Sequence, residues 1–240
     1  MTCQSTNRYQ QPCVGIIMLD TLFPRIKGDI GNPCTFDFPV QFKVVKGASP
    51  EKIVLQADKN LIQPFIAAGR WLIKKGANVI TTSCGFLSLF HNELTQALDV
   101  PVFSSSLLQV PMAQSIIGKE QRVGIITAHK MALTQQHLAA INIEHYHPEI
   151  IGMEKSEEFS SVFLGGKQTL DTKKCGKEMQ ETALKLKKRH PDIGAIVLEC
   201  TNMPPYAQIV HTATGGLPIF DMVTMINYAH STINCKKFCV

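Results

Sequence analysis

Short apolar runs of strand length alternate along this chain with longer stretches of helical spacing. Val14-Gly15-Ile16-Ile17-Met18-Leu19 is an unbroken apolar run rich in β-branched residues, as a strand buried on both faces requires. Between Pro50 and Lys75, Ile53, Leu61, Ile62, Phe65, Ile66, Trp71 and Leu72 recur at helical spacing, predicting a helix bent at Pro64. Val79 to Thr82 then reads as a strand and Phe86 to Leu98 as a helix. Val100 to Phe103 and Leu107 to Ile117 repeat that pair. Strands alternating with helices in this way predict an α/β fold with parallel strands.

The pattern then restarts. Val123-Gly124-Ile125-Ile126 repeats Val14-Gly15-Ile16-Ile17, and Ile193 to Glu199 ends at Cys200 as Val79 to Ser83 ends at Cys84. Pro101-Val102-Phe103 follows the first of these cysteines, and Pro218-Ile219-Phe220 follows the second at nearly the same distance. Four matches in one order predict two similar Rossmann- or flavodoxin-like parallel-sheet halves. They are expected to be related by a pseudo-twofold axis, with an active site in the cleft between them. The division drawn from the sequence is 14–117 with 221–234 for one half and 118–220 for the other. The last helix, Met222 to His230, could on its own join either half.

Composition narrows the function. The chain has 240 residues, 45% hydrophobic and 18% charged, enough for a sizeable core without disulfides. Its net charge of +5 resides largely in Lys173, Lys174, Lys177, Lys185, Lys187, Lys188 and Arg189. That segment reads as the solvated face of a helix, and no aromatic residues interleave it to stack nucleic-acid bases. No signal-like or membrane-spanning run is seen, so no membrane partner and a cytoplasmic location are expected. Eight cysteines then read as free thiols. Cys235 and Cys239 lack the partners of a zinc site, and so does the His145-Tyr146-His147 pair. Cys3, Cys13, Cys34 and Cys175 read as packing residues, Trp71 as core and Gly165-Gly166 as a turn.

Cys84 and Cys200 differ from the rest because they occupy equivalent places in the repeat. Each ends a strand just before a helix, at the sheet edge where open α/β folds bind ligands. A helix N-terminus there is expected to lower a thiol's pKa. Across a pseudo-twofold cleft, two such thiols could remove a proton from a carbon beside a carboxylate and return one on the opposite face. Thr82, Ser83, Thr201 and Asn202 are placed to hold the carboxylate. A single buried cysteine often does nothing but pack; the repeat is what raises this pair above that reading.

Leu198-Glu199-Cys200-Thr201-Asn202 resembles the second motif of the aspartate/glutamate racemase superfamily, and Thr82-Ser83-Cys84 its first. The resemblance covers nearly the whole chain. It implies chemistry by two cysteines without pyridoxal phosphate, metal or other cofactor, and a homodimer. Gly85 and Phe86 stand where many racemases have Asn-Thr, Asn202 replaces a histidine, and Glu199 stands where glycine is common. Glu199 could raise the Cys200 pKa by repulsion or point away. The loop from Leu19 to Asn32 matches where members bind substrate. Asp20 is assigned to an ammonium group, Arg25 to a carboxylate, and Thr21 and Gly85 to the same pocket. His129, opposite Asp20 in the repeat, could line the cleft or simply start a helix. With Phe38-Pro39-Val40 and Val44-Val45-Lys46-Gly47, this loop also resembles the dimethylsulfoniopropionate lyases of the superfamily.

The leading expectation is therefore a cofactor-independent racemase of aspartate, glutamate or a similar small acidic substrate. A lyase or isomerase sharing the first deprotonation is the alternative. A non-catalytic ligand-binding or thiol redox protein is the third.

Overall fold

The computed structural model describes residues 12–235; Cys3 and Cys239 lie outside them. Its elements run β1 (Cys13–Leu19), β2 (Val40–Val45), α1 (Ile62–Lys74), β3 (Ala77–Thr82), α2 (His91–Ala97), β4 (Val102–Phe103) and α3 (Val110–Ser115). They then repeat as β5 (Arg122–Thr127), α4 (Gln135–Ala139), β6 (Glu149–Gly152), α5 (Glu157–Phe163), α6 (Thr172–Arg189), β7 (Ile193–Leu198), α7 (Ala207–Ala213), β8 (Ile219–Phe220) and α8 (Met222–Ile233). The strands form two parallel sheets of like topology, β2-β1-β3-β4 and β6-β5-β7-β8. In each, the chain reverses its winding direction between the two central strands, which is where such sheets bind ligands.

The repeated Val-Gly-Ile-Ile has a packing cause. A Cβ on Gly15 would lie 2.7 Å from Ile80 and 3.1 Å from Leu72 of α1. One on Gly124 would lie 2.8 Å from Leu186 of α6 and 3.2 Å from Ile193. Each glycine lets a helix lie close on a central strand. The flanking isoleucines are fully buried, as strands covered on both faces require.

Four features differ from the sequence expectation. β2 and β6 are additional edge strands. β2 is half-buried and polar at Gln41 and Lys43, and β6 has only four residues, so neither shows an apolar run. The 50–75 segment is broken near Ala57, which has φ 48°, rather than bent at Pro64. Pro64 sits in the first turn of α1, where a missing N–H costs no hydrogen bond. Trp71 is 39% exposed, with Lys43 Nζ 4.7 Å above its ring, rather than core.

The halves exchange their last helices. α3 packs on β5 and β7, while α8 packs on β1, β3 and β4. Met222, Met225, Ile226 and Ala229 of α8 share a core with Val14, Ile16, Met18 and Val79. Side chains lock the exchange. Ser106 Oγ donates to the Leu198 and Glu199 carbonyls at 2.8 and 3.2 Å, and Gln109 Nε2 donates to the Asp221 carbonyl at 2.8 Å. The two sheet edges that carry the cysteines thereby face each other.

Candidate active site

Cys84 follows β3 and opens a 3-10 turn, Gly85–Phe90, while Cys200 follows β7 by one residue. The loops that carry them are joined directly, since Thr201 Oγ1 donates to the Ser83 carbonyl at 2.8 Å. The pseudosymmetry extends to the side chains. Ser83 Oγ accepts from the Leu19 amide at 2.8 Å, and in the other half Glu199 Oε2 accepts from the Ala128 amide at 3.3 Å.

Both cysteines line one cavity. Its polar wall is Thr21, Arg25, Ser83, Gly85, Glu199 and Asn202; its apolar wall includes Leu19, Phe23, Val54, Phe86, Phe163 and Leu164. Its volume is about 20 Å³, room for one water. Thr21, Phe23, Pro50 and Leu164 also line a neighbouring open depression of about 270 Å³. Phe23 and Phe163 meet edge to face there, ring centroids 5.2 Å apart. A substrate of several heavy atoms reaches the sulfurs only when this shared wall moves.

Of the residues expected in the cleft, Thr21, Arg25, Ser83, Cys84, Gly85, Cys200 and Asn202 do line it. The others are occupied elsewhere. Asp20 accepts from the Gly47 amide at 3.0 Å and pairs with Lys46 at 3.4 Å, and it lines the outer depression. The Gly47 hydrogen bond holds its carboxyl below the usual range. The Thr82 hydroxyl donates to the Ser104 carbonyl at 2.7 Å, and the Thr201 hydroxyl is spent on Ser83. His129 turns its Nδ1 to the Ala132 amide at 3.2 Å and stays outside the cavity wall, while His145 and His147 are exposed.

Asp29 was not singled out in the sequence, because it sits in a Gly-rich loop with nothing to mark it. It is 2% exposed and organises one side of the site. Its Oδ1 accepts from Arg25 Nη1 and the Gly31 amide, both at 2.8 Å, and its Oδ2 accepts from Asn202 Nδ2 at 2.6 Å. A carboxylate only accepts, so the Asn202 amide must present its oxygen to Cys200. That Oδ1 lies 3.4 Å from the Cys200 sulfur and accepts its proton. Arg25 also donates to Thr21 Oγ1 at 2.9 Å, so part of its guanidinium fork is already engaged.

Glu199 is fully buried and points inward. Its Oε2 accepts from Thr127 Oγ1 at 2.8 Å as well as from the Ala128 amide, and its Oε1 has no partner among the described residues. It explains the glycine beside the first cysteine. A Cβ on Gly85 would lie 2.2 Å from Glu199 Oε1 and 2.4 Å from its carbonyl oxygen. Burial pushes the Glu199 carboxyl up to about 7, against the Thr127 and Ala128 hydrogen bonds. Burial also raises both thiols well above their ordinary value, with Glu199 adding repulsion to each. The amides of Phe86 and Leu87 oppose this at Cys84, but in the closed cavity they do not win. The lowered thiol pKa expected from a helix N-terminus is thus reversed, because desolvation in a nearly dry cavity outweighs a few backbone dipoles.

The Asp/Glu/hydantoin racemase family model matches residues 48–226. The chain belongs to this family. Among curated relatives, a dimethylsulfoniopropionate lyase from Durusdinium sp. clade D is 30% identical over 224 residues, covering 90% of this chain and 73% of that protein. Among solved structures, a variant of arylmalonate decarboxylase superposes with a TM-score of 0.66 at 17% identity, covering 93% of each chain. The Picrophilus torridus aspartate racemase superposes with a TM-score of 0.60 at 13% identity, covering 95% of this chain and 96% of that one. These two structures share the fold of this family member. Among the described residues, no helix is long and apolar enough to cross a membrane.

Proposed function

We infer that this family member is a lyase that removes a proton beside the carboxylate of a small substrate and expels a soft cationic group from the next carbon. The substrate that fits this description is dimethylsulfoniopropionate or a close analogue. The observation that carries the reading is the charge inventory of the cavity. An acidic amino acid brings two carboxylates and an ammonium group, three charges that need partners in a dry site. The described cavity wall offers one guanidinium, half neutralised by Asp29, and Glu199; the rest of the lining is mostly apolar and aromatic. Asp20, the ammonium partner a racemase reading requires, is turned outward to Lys46. One carboxylate and a methylated sulfonium suit this lining better. Phe23, Phe86 and Phe163 offer ring faces and edges that tolerate a diffuse cation. The lyase relative is consistent with this.

When the wall moves to admit substrate, the desolvation that holds Cys84 protonated is relieved, and its thiolate takes a proton from the carbon beside the carboxylate. The electron pair of that C–H bond forms the double bond and the C–S bond breaks, releasing dimethyl sulfide and acrylate. Cys84 is the better base because two backbone amides favour its thiolate, whereas Cys200 has one, from Asn202. The Cys200 thiol donates its proton to a hydrogen bond with Asn202 Oδ1, and Asp29 repels its thiolate form. One base suffices for elimination, since dimethyl sulfide leaves without needing a proton. Two sulfurs in one cavity favour a second reading, two-base racemisation. Incubation of the protein with dimethylsulfoniopropionate, and separately with single enantiomers of acidic amino acids in heavy water, decides between them. Headspace dimethyl sulfide with stoichiometric acrylate is expected. Racemisation with deuterium gain, and no volatile product, would sink the lyase reading.

A further inference from the structure

Glu199 is an acidic group in the cavity wall that the elimination leaves without a task. It is 0% exposed, and one of its two oxygens is fully occupied while the other has no partner among the described residues. A buried polar atom left unpaired is costly, and each one calls for an explanation; of those among the described residues, Glu199 Oε1 is the one on a residue that lines the cysteine cavity. Because Oε2 already accepts two hydrogen bonds, a proton on this carboxyl belongs on Oε1. That oxygen lies against Gly85, between the two cysteine loops, where side-chain bulk is excluded.

The geometry points to Glu199 as a neutral acid whose Oε1–H is donated to the carboxylate of the bound substrate. The inference rests on the reading that the cavity takes a small carboxylate. The chemistry of the surroundings favours it. The titratable groups that share the cavity with Glu199 are Cys84 and Cys200 on the adjoining loops and Arg25 on the loop after β1, with Asp29 held behind Arg25 and Asn202, while Thr127 and Ala128 of the β5 edge offer only uncharged donors. His137, packed edge-on behind Phe86, is held neutral by burial. No cation among these pairs with Glu199. A substrate carboxylate, a thiolate and an ionised Glu199 would be three anions in one dry cavity. Protonation removes one of them and turns a repulsive neighbour into a donor, as apolar active sites do with other carboxylic acids. Its existing elevation to about 7 makes that proton inexpensive to hold at neutral pH. The donor also strengthens as the C–H bond breaks, because the partial negative charge that builds on the substrate carbon is shared with the carboxylate oxygens.

The test is calorimetric titration of propionate into the intact protein at about pH 8, in two buffers of different ionisation enthalpy. At that pH unliganded Glu199 is mostly ionised, so binding should take up a proton, approaching one per site. Glu199→Gln keeps the shape and an N–H donor; it should bind propionate with no proton uptake and retain measurable turnover. Glu199→Ala should weaken binding about tenfold or more. Thr127→Val removes a donor from Oε2 and should move the uptake window to higher pH, a shift that a purely structural carboxyl would not show. No uptake by the wild-type protein, equal uptake by Glu199→Gln, or no binding of propionate at all would overturn the proposal. Proton-linked propionate binding without any release of dimethyl sulfide would instead uphold it and overturn only the lyase reading.

Discussion

Replacing Asp29 by asparagine should reverse the hydrogen bond that holds the Cys200 proton. The carboxylate sits at the centre of a chain of contacts from Arg25 to Asn202 to Cys200. In Asp29→Asn the new amide oxygen can still serve Arg25 and the Gly31 amide. The new NH₂ group, however, then faces the NH₂ of Asn202, and two donors cannot pair. Asn202 must turn over, offering its oxygen to position 29 and its N–H to the Cys200 sulfur. The sulfur loses an acceptor for its proton and gains a donor that favours thiolate, and the repulsion from Asp29 vanishes as well. Alkylation of Cys200 by iodoacetamide at neutral pH should rise about tenfold relative to Cys84, an internal control read by peptide mass spectrometry. The same substitution strips a buried ion pair of its anion, since the two side chains are 14% and 2% exposed. Such a loss costs about 3 kcal/mol, or a melting temperature lower by about 6–12 °C for a chain of this size. Unchanged melting together with unchanged Cys200 reactivity would refute the chain of contacts.

Gly85→Ala must push a methyl group into the Glu199 carboxyl and carbonyl, costing about 1–3 kcal/mol. Adding Glu199→Gln should not restore it, because the backbone oxygen at 2.4 Å remains; thermal unfolding of both variants checks this. Glu199 makes stability pH-dependent with a definite sign. Its folded carboxyl lies at about 7 against an ordinary 4.5, so the stability it contributes is full below about 4.5 and is lost as pH rises through about 7. The loss amounts to about 3 kcal/mol and should be absent in Glu199→Gln when denaturant midpoints are followed across that window. Cys84→Ser should reduce dimethyl sulfide release by about 10²-fold or more, whereas Cys200→Ser should keep most of it; equal loss in both would favour two bases over one.

The duplicated fold was legible because its cause is local: glycines that admit a helix onto a central strand recur with the same apolar neighbours at 15 and 124. The edge strands β2 and β6 were not, because an edge needs no continuous apolar run. Cys84 and Cys200 were legible for the same reason as the glycines, being equivalent points of a repeat. Position along a strand end does not say which way a hydroxyl turns. Thr82 and Thr201, read as carboxylate ligands, spend theirs on main-chain carbonyls. Asp20 likewise lies beside the cavity in sequence but faces Lys46 in space. Asp29 became visible only through partners distant in sequence, Asn202 above all. The direction of the thiol pKa shifts needed the cavity's dryness and the orientation of Glu199, neither of which spacing encodes.

Two sulfurs converging on one small carboxylate are the core of the proposed chemistry. A crystal structure of the protein with propionate bound measures this directly. The expected result places the carbon beside the carboxylate within about 4 Å of both the Cys84 and Cys200 sulfurs, with a carboxylate oxygen in hydrogen-bond reach of Glu199 Oε1. Propionate lodged in the outer depression beside Asp20, with the cysteine cavity still closed, would contradict it.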